Sequence, residues 1–270
     1  VYYHKLGTEQ SDDQLVFSDE RYPQRFFMAQ PDEDSDLLFL YVEAAGNGQG
    51  LYVKSLKKQD AEFTCINDQF DYSCGVVGVV KNKIYMMTNL GAPKGRLVVA
   101  DVKNPGSANW KTVLPETSDV LSSVQIVNGK LVAVYDKDAS NHAYVCNLDG
   151  KLLHEVALPA VGTVSFNGSA KSKDVYYTFS SFVYPPTVYS YDIDKNVSTV
   201  YSQPKVNFKP EDYVTEQVFF SSKDGTKVPM TLTYKKGLKR DGSNPLWSRG
   251  LGDVYKRQVS VLQGAPHVYA

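Results

Sequence analysis

Leu37-Leu38-Phe39-Leu40-Tyr41-Val42 is a run of six apolar and aromatic residues with no polar alternation. It is too short for an ordinary helix and reads as a strand covered on both faces. Residues 83–88, 130–135 and 174–179 repeat the pattern, and the four runs start 46, 47 and 44 positions apart. Each is followed by a turn and a second strand, ending at Ser55, Asp101, Asn147 and Asp192, spaced 46, 46 and 45. An interval of roughly 40 to 50 residues built from short strands marks a β-propeller, in which each repeat is one small antiparallel sheet. The expected fold is therefore all-β, a propeller of about four full blades.

The second strands differ in character from the first. Leu51-Tyr52-Val53-Lys54-Ser55 and Val188-Tyr189-Ser190-Tyr191-Asp192 mix apolar with polar positions. They read as outer strands with at least one face in water. Gly46-Asn47-Gly48, Asn128-Gly129, Asp149-Gly150 and Pro185-Pro186 supply the turns between elements. No stretch offers a long amphipathic helix. The chain opens without Met on residues 1–6 and 14–17, which read as an outer strand pair, part of a fifth blade whose inner strands are expected upstream. Missing blades are expected to leave strand edges and apolar area uncovered at one side, with aggregation as the result.

Composition fits this reading and removes other function classes. Nineteen Tyr and twelve Phe favour strands and supply large apolar area. With 29 basic against 30 acidic residues, no broad electrostatic field favours nucleic acid or an anionic membrane. No apolar run approaches the ~20 residues that span a bilayer. Neither a nucleic-acid nor a membrane partner is expected.

Past Pro204 the repeat stops. Residues 213–220 and 227–234 read as two strands joined through Ser221-Ser222-Lys223-Asp224-Gly225-Thr226, where the Asp-Gly pair is a strong hairpin signal. A charged loop, Lys235-Lys236-Gly237-Leu238-Lys239-Arg240-Asp241-Gly242, follows. The domain boundary is placed between Pro204 and Pro210, giving a partial propeller over residues 1–206 and a new unit over 207–246.

Several of these segments carry a family resemblance. Pro210-Glu211-Asp212-Tyr213, the hairpin from Ser222 to Met230, and Lys235-Lys236-Gly237-Leu238 with Asn244-Pro245 resemble the propeller-to-peptidase junction of prolyl oligopeptidases. Tyr2-Tyr3-His4, Leu6-Gly7-Thr8, Gln10 and the later Phe179, Ser181 and Phe182 resemble that family's propeller. The likeness covers residues 1–246, with separate motifs in the right order on an independently inferred propeller. It implies a parent in which a seven-bladed propeller caps an α/β-hydrolase domain bearing a Ser, Asp and His triad. By the same resemblance the parent is a monomeric serine endopeptidase that cleaves short peptides after proline. Residues 207–246 would then be the first strands of the hydrolase domain.

The parts needed for acyl transfer are not found in this chain. The reaction requires a Ser on a sharp turn, a His base, an orienting carboxylate and oxyanion donors. No Gly-x-Ser-x-Gly occurs, and Gly168-Ser169 and Gly242-Ser243 read as ordinary turns. The family's glycine-rich loop is expected after Asn244-Pro245 and a short strand, where the chain instead reads Leu246-Trp247-Ser248-Arg249-Gly250. Residues 247–270 show no family pattern, and Gly250-Leu251-Gly252-Asp253-Val254-Tyr255-Lys256-Arg257-Gln258 resembles a translated sequencing adapter. That tail is read as non-native. The catalytic assignment is accordingly none, with the triad expected beyond the native sequence and the fragment expected to be inactive.

Other candidates have plainer readings. Gly46-Asn47-Gly48-Gln49-Gly50 suggests a phosphate loop, but a strand follows it, so no helix N-terminus is available and a flexible hairpin is expected. Cys65, Cys74 and Cys146 form no Cys-x-x-Cys unit and read as buried thiols. His4, His142, His154 and His267 lack metal-ligand spacing, so no metal and no cofactor is expected. Lys235-Lys236 with Lys239-Arg240 reads as a solvated loop, and Asn167-Gly168-Ser169 and Asn196-Val197-Ser198 as turns rather than glycosylation sites. The leading expectation is the substrate-gating propeller of a prolyl oligopeptidase-like enzyme with short proline-containing peptides as partners. The alternatives are a stand-alone propeller binding module, or another propeller-capped hydrolase such as an acyl-peptide or dipeptidyl peptidase relative. Fold by itself does not separate them.

Overall fold

In the computed structural model, the four sequence repeats become four antiparallel sheets of four strands each. The structure describes residues 1–245 apart from 33, 34, 47 and 59, together with the backbone of 248, 249, 259 and 260. A short pair, β1 (Tyr2–Tyr3) with β2 (Gln14–Leu15), opens the chain. The first sheet holds β3 (Phe26–Pro31), β4 (Leu37–Glu43), β5 (Gln49–Ser55) and β6 (Thr64–Asn67). The second holds β7 (Cys74–Val80), β8 (Lys83–Thr88), β9 (Arg96–Asp101) and β10 (Lys111–Leu114). The third holds β11 (Val120–Val127), β12 (Lys130–Lys137), β13 (Ser140–Cys146) and β14 (Leu152–Glu155). The fourth holds β15 (Thr163–Asn167), β16 (Val175–Ser180), β17 (Thr187–Asp192) and β18 (Val197–Ser202). Strand order follows chain order in every sheet. The fold is a β-propeller with four full blades and part of a fifth.

The apolar runs are the second strands of the blades, and their lack of alternation has a direct cause. Within β12, Leu131 and Ala133 enter the core shared with the second blade, whereas Val132 and Val134 enter the core shared with the fourth. Both faces are therefore buried between neighbours. The same logic places Phe39 and Tyr41 of β4 against Ile84 and Met86 of β8.

The third strands correct the reading made from sequence. β5, β9, β13 and β17 are interior, not outer: each is flanked on its far side by β6, β10, β14 or β18. Leu51 and Val53 are buried accordingly. The true outermost strands are short and mostly exposed, which is why they carried no apolar run to be recognised.

The two ends of the blade series are built differently. Leu38, Leu40 and Val42 on the outer face of the first blade are buried although no four-stranded sheet precedes it. The N-terminal segment covers that face: Phe17 lies 5.2 Å from Phe27 and 5.8 Å from Phe63 between ring centroids, and Arg25 stacks 3.7 Å from Tyr22 and 4.5 Å from Phe70. On the fourth blade, Val175, Tyr177 and Phe179 turn inward to the third blade, leaving Tyr176, Thr178 and Ser180 on the outer face. Their cross-strand neighbours include Ser165, Ser190 and Thr199. The middle of this face is polar and hydrated, whereas Val197, Val200 and Tyr201 of the last strand are exposed, so the expected uncovered apolar area is confined to that strand.

After Pro204 the chain forms a hairpin of β19 (Tyr213–Ser221) and β20 (Lys227–Lys235). Gly225 adopts φ +85° at its tip, the conformation the Asp-Gly signal requires, and Asp224 accepts the Thr226 N–H at 3.0 Å. A short pair, β21 (Ser248–Arg249) and β22 (Val259–Ser260), is the only part of 247–270 that is described. The adapter-like stretch from Gly250 to Gln258 lies outside the described residues. Among the described residues no helix is long and apolar enough to cross a membrane.

Candidate functional site

A blade's first strand has one partner and one free edge, so β7, β11 and β15 present unpaired backbone groups where they converge. Irregular pairing accentuates this. Register shifts between Val76 and Gly78 in β7, and between Leu121 and Ser123 in β11, leave Val77 and Ser122 out of the ladder. The Ser122 hydroxyl compensates by donating to the Val134 carbonyl at 3.1 Å. At this convergence lies a cavity of about 430 Å³ whose walls include Gly75, Val77, Ser123, Gln125 and Asn167. A smaller one of about 160 Å³ shares Val77, Ile126 and Gly168 with it and adds Asp32.

A second candidate region is the contact between the third blade and the hairpin. The tight turn joining β12 to β13 places Asp138 and Ala139 at φ +48° and +61°. The Asp138 carbonyl accepts a hydrogen bond from the Gln217 carboxamide of β19. Beneath the turn, Asn141 ties the third blade to the fourth: its N–H donates to the Gly162 carbonyl at 2.9 Å and its Oδ1 accepts the Val164 N–H at 2.8 Å.

The histidines are dispersed among structural partners. His4 Nδ1 lies 2.6 Å from Asp13, His142 Nδ1 lies 3.1 Å from Glu155, and His154 Nε2 lies 2.9 Å from the Tyr191 hydroxyl. His267 lies outside the described residues. Tyr191 donates to Asn196 Oδ1 at 2.8 Å, so it accepts from His154, which fixes the Nε2–H tautomer. Asn196 in turn donates to the Glu155 carbonyl at 3.0 Å, so this turn residue helps latch the third blade to the fourth. The Asn-Gly-Ser segment follows suit: Ser169 and Ala170 carbonyls receive the Asn128 and Gly129 N–H groups. Among the described residues no group of three or more His, Cys, Asp or Glu is placed to hold a metal.

Burial and the nearby Lys130 cation both disfavour charge on His154, holding its pKa below the ordinary imidazole value. An unfolded chain then binds the proton more readily than the folded one, so His154's contribution is complete above about pH 6.5 and is lost as the pH falls below it. Equilibrium unfolding is expected to show a loss of stability as the pH falls below about 6.5, and His154→Gln should reduce that loss while keeping a donor for Tyr191. An unchanged pH profile in the variant would remove this assignment.

The cysteines divide. Cys74 and Cys146 are buried, and burial pushes the Cys74 thiol up to about 12. Cys65 is exposed on β6, correcting the expectation of three buried thiols. An outermost strand cannot bury every side chain. The glycine-rich loop is also less free than expected. It forms the turn between β4 and β5, but a Cβ at Gly48 would come within 2.5 Å of the Phe70 backbone, so this loop packs against the chain entering β7. Asn47 lies outside the described residues.

The architecture is matched by comparison. The family model for the N-terminal β-propeller domain of prolyl oligopeptidase matches residues 1–204. The chain belongs to the prolyl oligopeptidase family. It is 41% identical over 253 residues to the prolyl endopeptidase of Elizabethkingia meningoseptica, covering 93% of this chain and 36% of that protein. Prolyl oligopeptidase A of Amanita bisporigera is 30% identical over 263 residues, with 93% and 34% covered. The solved structure of prolyl oligopeptidase B from Galerina marginata, without ligand, superimposes with a TM-score of 0.82 at 27% identity, covering 90% of this chain and 36% of that one. The same enzyme has been solved bound to a 25-residue macrocyclization substrate. The chain thus spans 36% of the length of the first of these curated relatives.

Proposed function

We propose that this chain is the substrate-gating propeller portion of a serine endopeptidase that cleaves short peptides after proline, and that it carries no catalytic residue itself. Kinship with prolyl endopeptidases supports the reaction class. The observation that carries the gating role is the hairpin that follows the fourth blade and docks through Gln217 on the β12–β13 turn. Its register puts Val214, Val218, Phe220, Val228, Met230 and Leu232 on one face, with Glu216 and Tyr234 hydrogen-bonded to each other at the end away from the turn. Phe220 and Met230 remain exposed there, at 49% and 42%. A lone two-stranded hairpin is marginal in water, so an apolar face of this extent belongs to the core of a following domain.

On this reading residues 1–206 are propeller, 207–246 begin the hydrolase domain, and 247–270 are non-native. Sequencing across the codons for Leu246 and Trp247 tests the last boundary, and uninterrupted natural reads through Gln258 would overturn it. The propeller's contribution to catalysis is steric and dielectric. A narrow shell excludes folded proteins and keeps water from the triad, where fixed dipoles stabilise the oxyanion most strongly. The purified chain is expected to give no turnover of a chromogenic proline-containing peptide. Cleavage sensitive to a serine-directed inhibitor would refute the assignment.

A further inference from the structure

Four buried side-chain polar atoms among the described residues lack a hydrogen-bond partner: Ser35 Oγ, Arg96 Nε, Gln125 Oε1 and Tyr177 Oη. Of these, Gln125 alone lines the 430 Å³ cavity at the inner edges of β7, β11 and β15. Gln125 stands opposite Val132 on β11, next to Val124 and Ile126, which are buried. A carbonyl oxygen in such a place costs stability unless a donor reaches it, and methionine would fill the same length without that cost. Oε1 has almost no accessible surface, so water or a ligand group supplies the missing donor once the carboxamide turns toward the cavity.

The surroundings define what can supply it. The cavity falls within the range of small-ligand sites, roughly 300–1,000 Å³. No charged side chain lines it, and its polar side chains are hydroxyls and carboxamides: Ser122, Ser123, Gln125 and Asn167. A Cβ on Gly75 would meet nothing within 4 Å, so the wall is open on the β7 side. The free edges of β7 and β11 add backbone donors and acceptors in the spacing of a strand. Such a lining recognises a neutral, extended chain of amides and discriminates little among side chains.

We propose that this cavity is a peptide main-chain subsite on the propeller's inner wall, where Gln125 Oε1 accepts an N–H from an extended peptide. The proposal deepens the peptidase reading and rests on it for the class of ligand. It gives the propeller a holding role for substrate in addition to size exclusion.

The test uses the full 270-residue chain and two probes, acetyl-tetraalanine amide and acetyl-tetraproline dimethylamide, which has no N–H to give. Titration followed by amide chemical shifts should show saturable changes at Gly75 to Val77 and Ser122 to Ile126 with the alanine peptide, and at least tenfold weaker binding of the proline one. Gln125→Met should reduce that difference at least threefold, the free strand edges keeping the remainder, while leaving the melting temperature unchanged or raised by about 2–4 °C, as expected when an unpaired buried acceptor is removed. Gly75→Phe, whose Cβ meets nothing within 4 Å and whose ring would enter the cavity, should weaken both probes at least tenfold. Equal binding of the two peptides, no saturable shifts, or a Gln125→Met chain that keeps the full preference for the alanine peptide would each overturn the subsite. These outcomes are separable from failure of the peptidase reading. An uninterrupted reading frame lacking a serine elbow would remove the peptidase and leave a binding propeller, whereas an elbow with no binding here would remove only the subsite.

Discussion

Gly150→Ala is expected to destabilise the chain by about 2–5 kcal/mol, the sum of a left-handed backbone penalty and overpacking against a neighbouring blade. Gly150 closes the β13–β14 turn at φ +87°, with its N–H donating to the Asn147 carbonyl at 3.0 Å. A Cβ at this position would lie 2.0 Å from the carbonyl oxygen of Val113 and 2.9 Å from its carbon. Val113 is the bulged residue of β10 in the preceding blade, held between Thr112 and Leu114, so the obstructing atoms are backbone and yield less readily than the end of a side chain. The turn must withdraw, and with it the outer seam between the second and third blades. Gly129→Ala is the matched control. It has φ +67° and nothing within 4 Å of the Cβ position, so it should cost only about 1–2 kcal/mol. Denaturant midpoints of the two variants measure the difference. Equal midpoints would mean that the seam yields freely and that blade-to-blade contact at this point carries no stability.

Gly150 also shows where sequence reading reaches its limit. Asp149-Gly150 identifies a turn, because few residues other than glycine tolerate positive φ. Nothing local reveals that the turn abuts Val113, thirty-seven positions earlier, since that depends on how blades stack. The second strands were legible because burial on both faces writes itself as an unbroken apolar run, as in Leu37 to Val42. The outermost strands were not: Leu152, Leu153 and Glu155 are exposed and only His154 is half-buried, so no apolar pattern is imposed on them. The hairpin was legible from its Asp-Gly tip, which acts within six residues. The cavity at Gln125 was invisible for the opposite reason. A glutamine within Val124-Gln125-Ile126 reads as an ordinary outward position of an edge strand, and only the arrangement of three blades leaves its oxygen without a donor.

Leu40→Ala is expected to cost about 2–5 kcal/mol and to be accompanied by loss of soluble yield. Leu40 has no accessible surface and sits at the centre of β4 on the blade's outer face, cross-strand from Ala29 and Tyr52. The face it belongs to is overlain by Phe17 against Phe27 and by Phe70 beside Gly50, in place of a packed sheet. Val16 and Phe17 are anchored by backbone bonds to the Val1 carbonyl at 2.9 and 3.2 Å, and the Val1 amine holds the Phe17 carbonyl at 2.7 Å. Removing the leucine methyls leaves a void on the face that this thin layer overlies. Thr178→Ala on the outer face of the fourth blade provides the contrast. That hydroxyl is exposed on a Ser- and Thr-rich surface, and its removal should lie within about 0.5 kcal/mol of the parent. The pair tests whether the two ends of the blade series are stabilised by different means, one by an apolar patch under a cover and the other by hydration. If both substitutions prove small, the N-terminal segment is not bearing on Leu40. If both prove large, the fourth blade's polar face is covered as well, and β18 does not end the stack in water.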